Sequence, residues 1–194
     1  MAQGRREVAV VRSRVVLIVI GVLTAAAADA QNPVTGMVSG HIGMAHGGDT
    51  EKAGVTPAVS VAVVESSGWG AEIDLSHVWR FASDAFEESG ITAAMVNVLF
   101  ARPAPVMRPY GSGGVGLLRV RASFTDEQSV VNRTDWGLNA GGGLLVMLND
   151  GVGFRGEVRY FRYFERHDEL ALTSNGFFDF WRTSVGVTWT WPIR

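Results

Sequence analysis

The stretch "RGEVRYFRYFER", Arg155 to Arg166, decides between two folds. Its arginines at 155, 159, 162 and 166 have the spacing of a continuous basic stripe on a helix. With period two, Arg155, Glu157 and Arg159 fall on one side and Phe154, Val158 and Tyr160 on the other, as on a strand. Context selects the strand. Gly151, Gly153 and Gly156 punctuate the segment. The preceding "NDG" (Asn149 to Gly151) carries an Asp-Gly, a tight-hairpin signal.

Outward from this strand the pattern repeats. Short blocks rich in Val, Thr, Trp, Phe and Tyr alternate with turn residues and predict eight strands. They run over 34–46, 57–65, 69–81, 91–102, 109–124, 135–149, 152–165 and 177–191. Three connections are short: "SSG", "PAPVMR" and "NDG". The other four are longer and polar: "HGGDTEKAGVT", "ASDAFEESG", "TDEQSVVNRT" and "ERHDELALTSNG". Short and long connections alternate, so an even-stranded meander collects all the short turns at one end. That asymmetry is characteristic of a bacterial outer-membrane barrel.

The faces decide which side meets lipid. Trp181, Thr183, Val185, Val187, Trp189 and Trp191 oppose Arg182, Ser184, Gly186, Thr188 and Thr190. Trp69, Ile73, Leu75 and Trp79 oppose Glu72, Asp74 and Ser76. A soluble barrel turns the apolar face inward, and a membrane barrel turns it outward. Aromatic residues gather at both ends of the apolar faces. Trp69, Tyr110, Phe154, Trp189 and Trp191 are assigned to the turn end, and Trp79, Trp136, Tyr160 and Trp181 to the loop end. The polar faces are rich in Gly and Ser, and Lys52 is the only lysine. These features predict an all-β, eight-stranded antiparallel up-and-down transmembrane barrel.

With the polar faces inward, Glu72, Asp74 and Glu157 share a narrow lumen with Arg155, Arg159 and Arg182. Three acids then balance three arginines, and buried charges must be paired. The expectation is a structural charge network in a polar, side-chain-filled lumen. Arg119 and Arg121 share parity with Val115 and Leu117, and are expected above the lipid.

The first thirty residues read as a leader. Arg5, Arg6, Arg12 and Arg14 precede "VVLIVIGVLTAAAA", and Ala28-Asp29-Ala30 offers a signal-peptidase site. The apolar run is about fourteen residues, short of the roughly twenty that a spanning helix needs. Residues 1–30 are assigned as a cleaved signal peptide and 31–194 as the barrel domain. Cleavage removes four arginines and two acids (Glu7, Asp29), leaving 17 − 4 = 13 basic and 19 − 2 = 17 acidic residues. A net charge of −4 gives no general pull toward nucleic acid. With no cysteine, disulfides and thiolate metal sites are excluded.

The chain resembles the eight-stranded outer-membrane β-barrel family related to the transmembrane domain of outer membrane protein A. The resemblance rests on "YGSGGVGLLR" (Tyr110 to Arg119), "WGLNAGGGLLV" (Trp136 to Val146), "GFRGEVRYF" (Gly153 to Phe161) and "FWRTSVGVTWTW". It spans nearly all of the chain after the leader and implies a fold and an outer-membrane location more than an activity. Such barrels end in an aromatic residue read by the assembly machinery, whereas this chain ends "WPIR" with Trp191 as its last aromatic. The expected surroundings are outer-membrane lipids, lipopolysaccharide and the barrel-assembly machinery, with a monomeric protein and no nucleic acid.

Chemical motifs are sparse. "GSGGVG" (Gly111 to Gly116) matches G-x-G-x-x-G but is followed by more strand, where the dinucleotide fingerprint needs a helix. His41, His46, His77 and His167 have no metal-ligand spacing, so no metal, cofactor or catalytic site is assigned. His41 is expected to face the lumen network. The main rival is a lipid A-modifying enzyme on this fold. "TSNG" (Thr173 to Gly176) has Leu172 where a deacylase of this architecture has His, while His167, Asp168 and Ser174 share the fourth loop. A soluble, periplasmic lipocalin-like carrier is the other alternative, and it requires an apolar lumen. The expected function is non-enzymatic: outer-membrane structure, or surface interaction through the loops.

Overall fold

Strands form where the two-residue alternation runs, and their pairing continues until no edge is left. The computed structural model describes residues 33–50, 52–79, 86–124, 130–164 and 177–193. The strands are β1 (Val34–His46), β2 (Gly54–Glu65), β3 (Trp69–Trp79), β4 (Phe86–Ala101), β5 (Met107–Phe124), β6 (Val130–Met147), β7 (Val152–Phe164) and β8 (Phe177–Ile193). Each pairs antiparallel with its neighbour in sequence, and β8 closes on β1. Full closure leaves no unpaired ladder in the membrane, as a sheet in lipid requires. The expected leader, residues 1–30, lies outside the described residues.

Strand boundaries differ from the sequence reading at specific residues. β2 starts at Gly54, three residues early, because Pro57 sits inside the strand. The β2–β3 register skips Thr56 and Pro57, between Val55↔Trp79 and Ala58↔Ser76, as expected of a residue with no N–H to donate. The Ser66–Gly68 turn depends on Gly68 at φ 96°, whose N–H donates to Glu65 O at 2.9 Å. In the "NDG" hairpin the organiser is Asn149, whose Oδ1 accepts from both Gly151 N and Val152 N at 2.9 Å. Gly151 is not among the glycines of positive φ. The hairpin forms as an Asx turn and not through Asp-Gly.

The register sets the barrel's dimensions. A hydrogen-bonded row runs from Gly36 through Val63, Ala71, Val98, Gly113, Ala140, Tyr160 and Trp181. It returns to β1 at His46, a stagger of 46 − 36 = 10 residues. Eight strands with that stagger tilt roughly 40° from the axis. On that geometry the outward Trp69, Phe154 and Trp189 lie about 20–25 Å below Trp79, Trp136 and Trp181, the height of a membrane barrel's apolar band.

The outward face between these girdles is apolar. Val185 is 63 % exposed, Val98 60 % and Trp69 57 %, a density of bare hydrocarbon that water would not tolerate. One assignment is corrected. Tyr110 is buried in the lumen and takes no part in the lower girdle. Its parity matches Ser112 and Gly114 and is opposite to that of Val115 and Leu117, and the pairing with β6 runs through Pro109 without a shift. The orientation predicts that Val185→Arg, near mid-band, costs about 2–4 kcal/mol. Urea unfolding in lipid vesicles, followed by heat-modifiable gel migration, measures it. A loss below about 1 kcal/mol would place Val185 away from the bilayer midplane.

Candidate functional site

Inward parity on β3, β7 and β8 places Glu72, Asp74, Arg155, Glu157, Arg159 and Arg182 at one level of the lumen, all buried. Glu157 is the centre. Its Oε2 accepts from Arg155 Nη2 at 2.8 Å, Arg159 Nη2 at 2.9 Å and Tyr110 Oη at 2.9 Å. Its Oε1 accepts from Arg182 Nη2 at 2.8 Å. Arg182 also forks onto both oxygens of Asp74 at 2.9 Å each. Glu72 pairs with Arg159 at 2.7 Å and with Arg155 at 2.6 Å. Each arginine thus touches two carboxylates, and the network carries no net charge.

Polar neighbours extend the layer. Tyr110 accepts from Arg155 Nε at 2.7 Å while its ring lies 4.4 Å from that guanidinium carbon. Asn97 donates to Glu72 at 3.2 Å and accepts from Asn139 at 2.7 Å. Ser60 and Ser112 accept from Arg155 and Arg159 at 3.3 and 3.1 Å. Among the described residues, Arg159 Nε and Nη1 and Arg182 Nε have no hydrogen-bond partner, and buried water commonly serves such groups. His41 is buried on the same side, with Nδ1 likewise unpartnered.

The glycines of "NAGGGLL" make room for this layer. A Cβ on Gly141 would stand 2.8 Å from Arg159 Cα, and one on Gly143 would stand 2.7 Å from Tyr110 Oη. At those inward positions any side chain displaces an arginine or its partner.

The lumen is not polar throughout, which corrects the sequence expectation. Above the charges, Ile91, Leu118, Phe161, Tyr163, Phe178 and Phe180 belong to one apolar cluster. The Phe161 and Phe180 rings stack with centroids 4.9 Å apart and planes at 8°. Below the charges, Met37, Val64, Leu99, Tyr110, Leu145 and Met147 form a second cluster. The upper cluster was legible in principle, because Phe161, Tyr163, Phe178 and Phe180 share the parity of Arg159 and Arg182. Attention to the charges alone misses them. The result is a three-layer interior: apolar, ionic, apolar. Its charges also exclude the apolar-lined cavity that a lipocalin-like carrier needs.

Catalytic groups do not assemble among the described residues. His46 Nε2 lies 3.0 Å from Thr183 Oγ1, and His77 Nδ1 lies 2.9 Å from Thr92 Oγ1, both on the outward face. No three His, Asp or Glu residues converge as metal ligands among the described residues. His167, Asp168, Ser174 and the "TSNG" segment lie outside the described residues.

Comparison with known proteins agrees with this architecture. A family model described as outer membrane protein beta-barrel domain matches residues 15–190. Among solved structures, Neisserial surface protein A (NspA) superposes with a TM-score of 0.60 at 13 % identity, covering 80 % of this chain and 96 % of its own. OprG from Pseudomonas aeruginosa gives 0.57 at 12 % identity, covering 82 % and 96 %. Ail, the attachment invasion locus protein of Yersinia pestis, gives 0.55 at 13 % identity, covering 83 % and 100 %. Identities this low establish a shared fold. No curated protein matches in sequence.

Proposed function

We propose that this chain, which belongs to the outer membrane protein beta-barrel family and lies in the bacterial outer membrane, is non-enzymatic and acts through its outer surface. The work is done by the wall in the bilayer and by the loop end, in outer-membrane structure or surface interaction. The observation that carries this reading is the filled interior. An ionic layer whose three arginines are each shared between two carboxylates lies between two apolar clusters. A water-filled path would have to unpack side chains at three levels, and neighbouring packed layers hold one another in place.

Two measurements test the proposal. Purified barrel in planar bilayers is expected to show no steady conductance, and regular open-channel steps would overturn the closed-lumen basis. Lipid A mass spectra from deletion and overexpression strains are expected to match those of the parent. A reproducible mass change that tracks expression would establish the enzymatic alternative instead.

A further inference from the structure

The lower end of the lumen is a bowl that the three-layer packing leaves open. It holds about 210 Å³ and lies at the turn end, the periplasmic side of a membrane barrel. Its floor is the underside of the lower apolar cluster: Met37, Val64 and Leu145, with Ala101 packed against them. Inward parity on β1, β2, β4 and β6 brings these four residues together.

Two arginines line the bowl at its rim, Arg102 and Arg108. They bracket the proline-rich turn "RPAPVMR", which is closed by Arg102 N donating to Pro109 O at 2.9 Å. Arg108 is half-buried, and its Nε donates to Ala104 O at 2.6 Å. That bond tethers the guanidinium to the turn and leaves its two terminal nitrogens for another partner. Among the described residues, neither arginine has a carboxylate within ion-pair distance. The third charged group lining the bowl is Glu65, whose Oε2 accepts from Ser67 Oγ at 3.2 Å within its own turn.

These arginines are not counter-ions of the ionic layer, where three acids already balance three arginines. A rim arginine that serves only solubility is free to swing into water, whereas Arg108 is held beside an apolar floor. A fixed guanidinium next to hydrocarbon matches a ligand with an anionic head and an apolar body. Bare phosphate would leave the floor uncovered, and a neutral hydrocarbon would leave the guanidinium unanswered. The bowl is smaller than the roughly 300–1,000 Å³ of sites for drug-sized ligands, so the apolar body is one ring or a short chain.

We propose that the bowl binds a small carboxylic acid with a compact apolar body. The carboxylate takes the planar fork of Arg108, with Arg102 as a second cation, and the apolar body lies on Met37, Val64, Ala101 and Leu145. Two sources carry this chemistry: a free aromatic or short-chain acid, and the C-terminal residue of a polypeptide. The site lies below the three layers and does not depend on whether the barrel conducts or catalyses.

The test uses the folded mature chain in lipid nanodiscs with isotope-labelled methionine methyl groups, so that Met37 reports on the floor by NMR. Benzoate is expected to shift the Met37 signal saturably, and benzamide, its neutral counterpart, to bind about tenfold more weakly. Arg108→Gln should weaken benzoate roughly tenfold, the scale of one lost charge-assisted hydrogen bond, and Arg102→Gln about threefold. Ala101→Leu fills the floor while keeping both arginines, and should also weaken benzoate. Glu65→Gln should leave benzoate bound at least as tightly. Heat-modifiable migration checks folding, and Arg102→Gln carries the test if Arg108→Gln does not fold. Tighter binding of acetyl-Ala-Phe than of benzoate, lost on amidation, assigns the site to a polypeptide end, and the reverse order assigns it to a free acid. Equal binding of benzoate and benzamide, or full affinity in both arginine variants, would overturn the proposal. Full affinity in Ala101→Leu would overturn the apolar half of the site.

Discussion

Glu157→Gln is expected to cost about 3–5 kcal/mol, the range for removing one partner from a buried ionic network. The substitution keeps the shape of the side chain and removes the charge on which Arg155, Arg159 and Arg182 converge. Three buried guanidinium groups would then share two carboxylates, and none can reach bulk water from between the two apolar clusters. Pairing the change with Arg159→Met restores the charge balance. The double variant should therefore lose less than the sum of the single losses, with a coupling of about 0.5–3 kcal/mol. Urea titration in vesicles, scored by heat-modifiable migration, gives all three numbers. Additivity within about 0.5 kcal/mol would mean that the contacts do not act as a network.

The second large effect concerns the apolar layer near the loops. Phe161→Ala should cost about 3–5 kcal/mol, the range for a large side chain lost from a packed core. Phe161 is 0 % exposed, stacks on Phe180 and lies 5.2 Å from the Arg182 guanidinium carbon. Its loss opens space directly above an ionic layer, where water can enter. Conductance should still be absent, because the ionic layer and the lower cluster remain packed. Steady channel steps in Phe161→Ala alone would show that this ring, and not the three layers together, closes the lumen. A stability loss under about 1 kcal/mol would show that the upper cluster is loosely packed.

Much of the architecture was open to sequence reasoning because β-strands have an integer period. A two-residue repeat assigns Arg155, Glu157 and Arg159 to one side without any knowledge of their partners, and the same rule places Glu72, Asp74 and Arg182. The strand number follows from the turns, and the inverted faces follow from the bare tryptophans and the single lysine. Errors appear where proline or a side-chain-driven turn breaks the rule. Pro57 suggested a strand start, and Asn149 took over the role assigned to Asp-Gly.

The sequence by itself therefore determined the class of fold, the membrane orientation and the set of charges that must share the interior. Each follows from local alternation and from the cost of leaving a charge unpaired. It could not determine who pairs with whom. The hydrogen-bonded contact of Arg182 with Asp74 joins residues 108 apart in the chain, and that of Arg159 with Glu72 joins residues 87 apart. Such contacts depend on the ten-residue stagger with which β8 meets β1, a property of closure that no single strand encodes. Closure likewise stacked the interior into three layers, apolar, ionic and apolar.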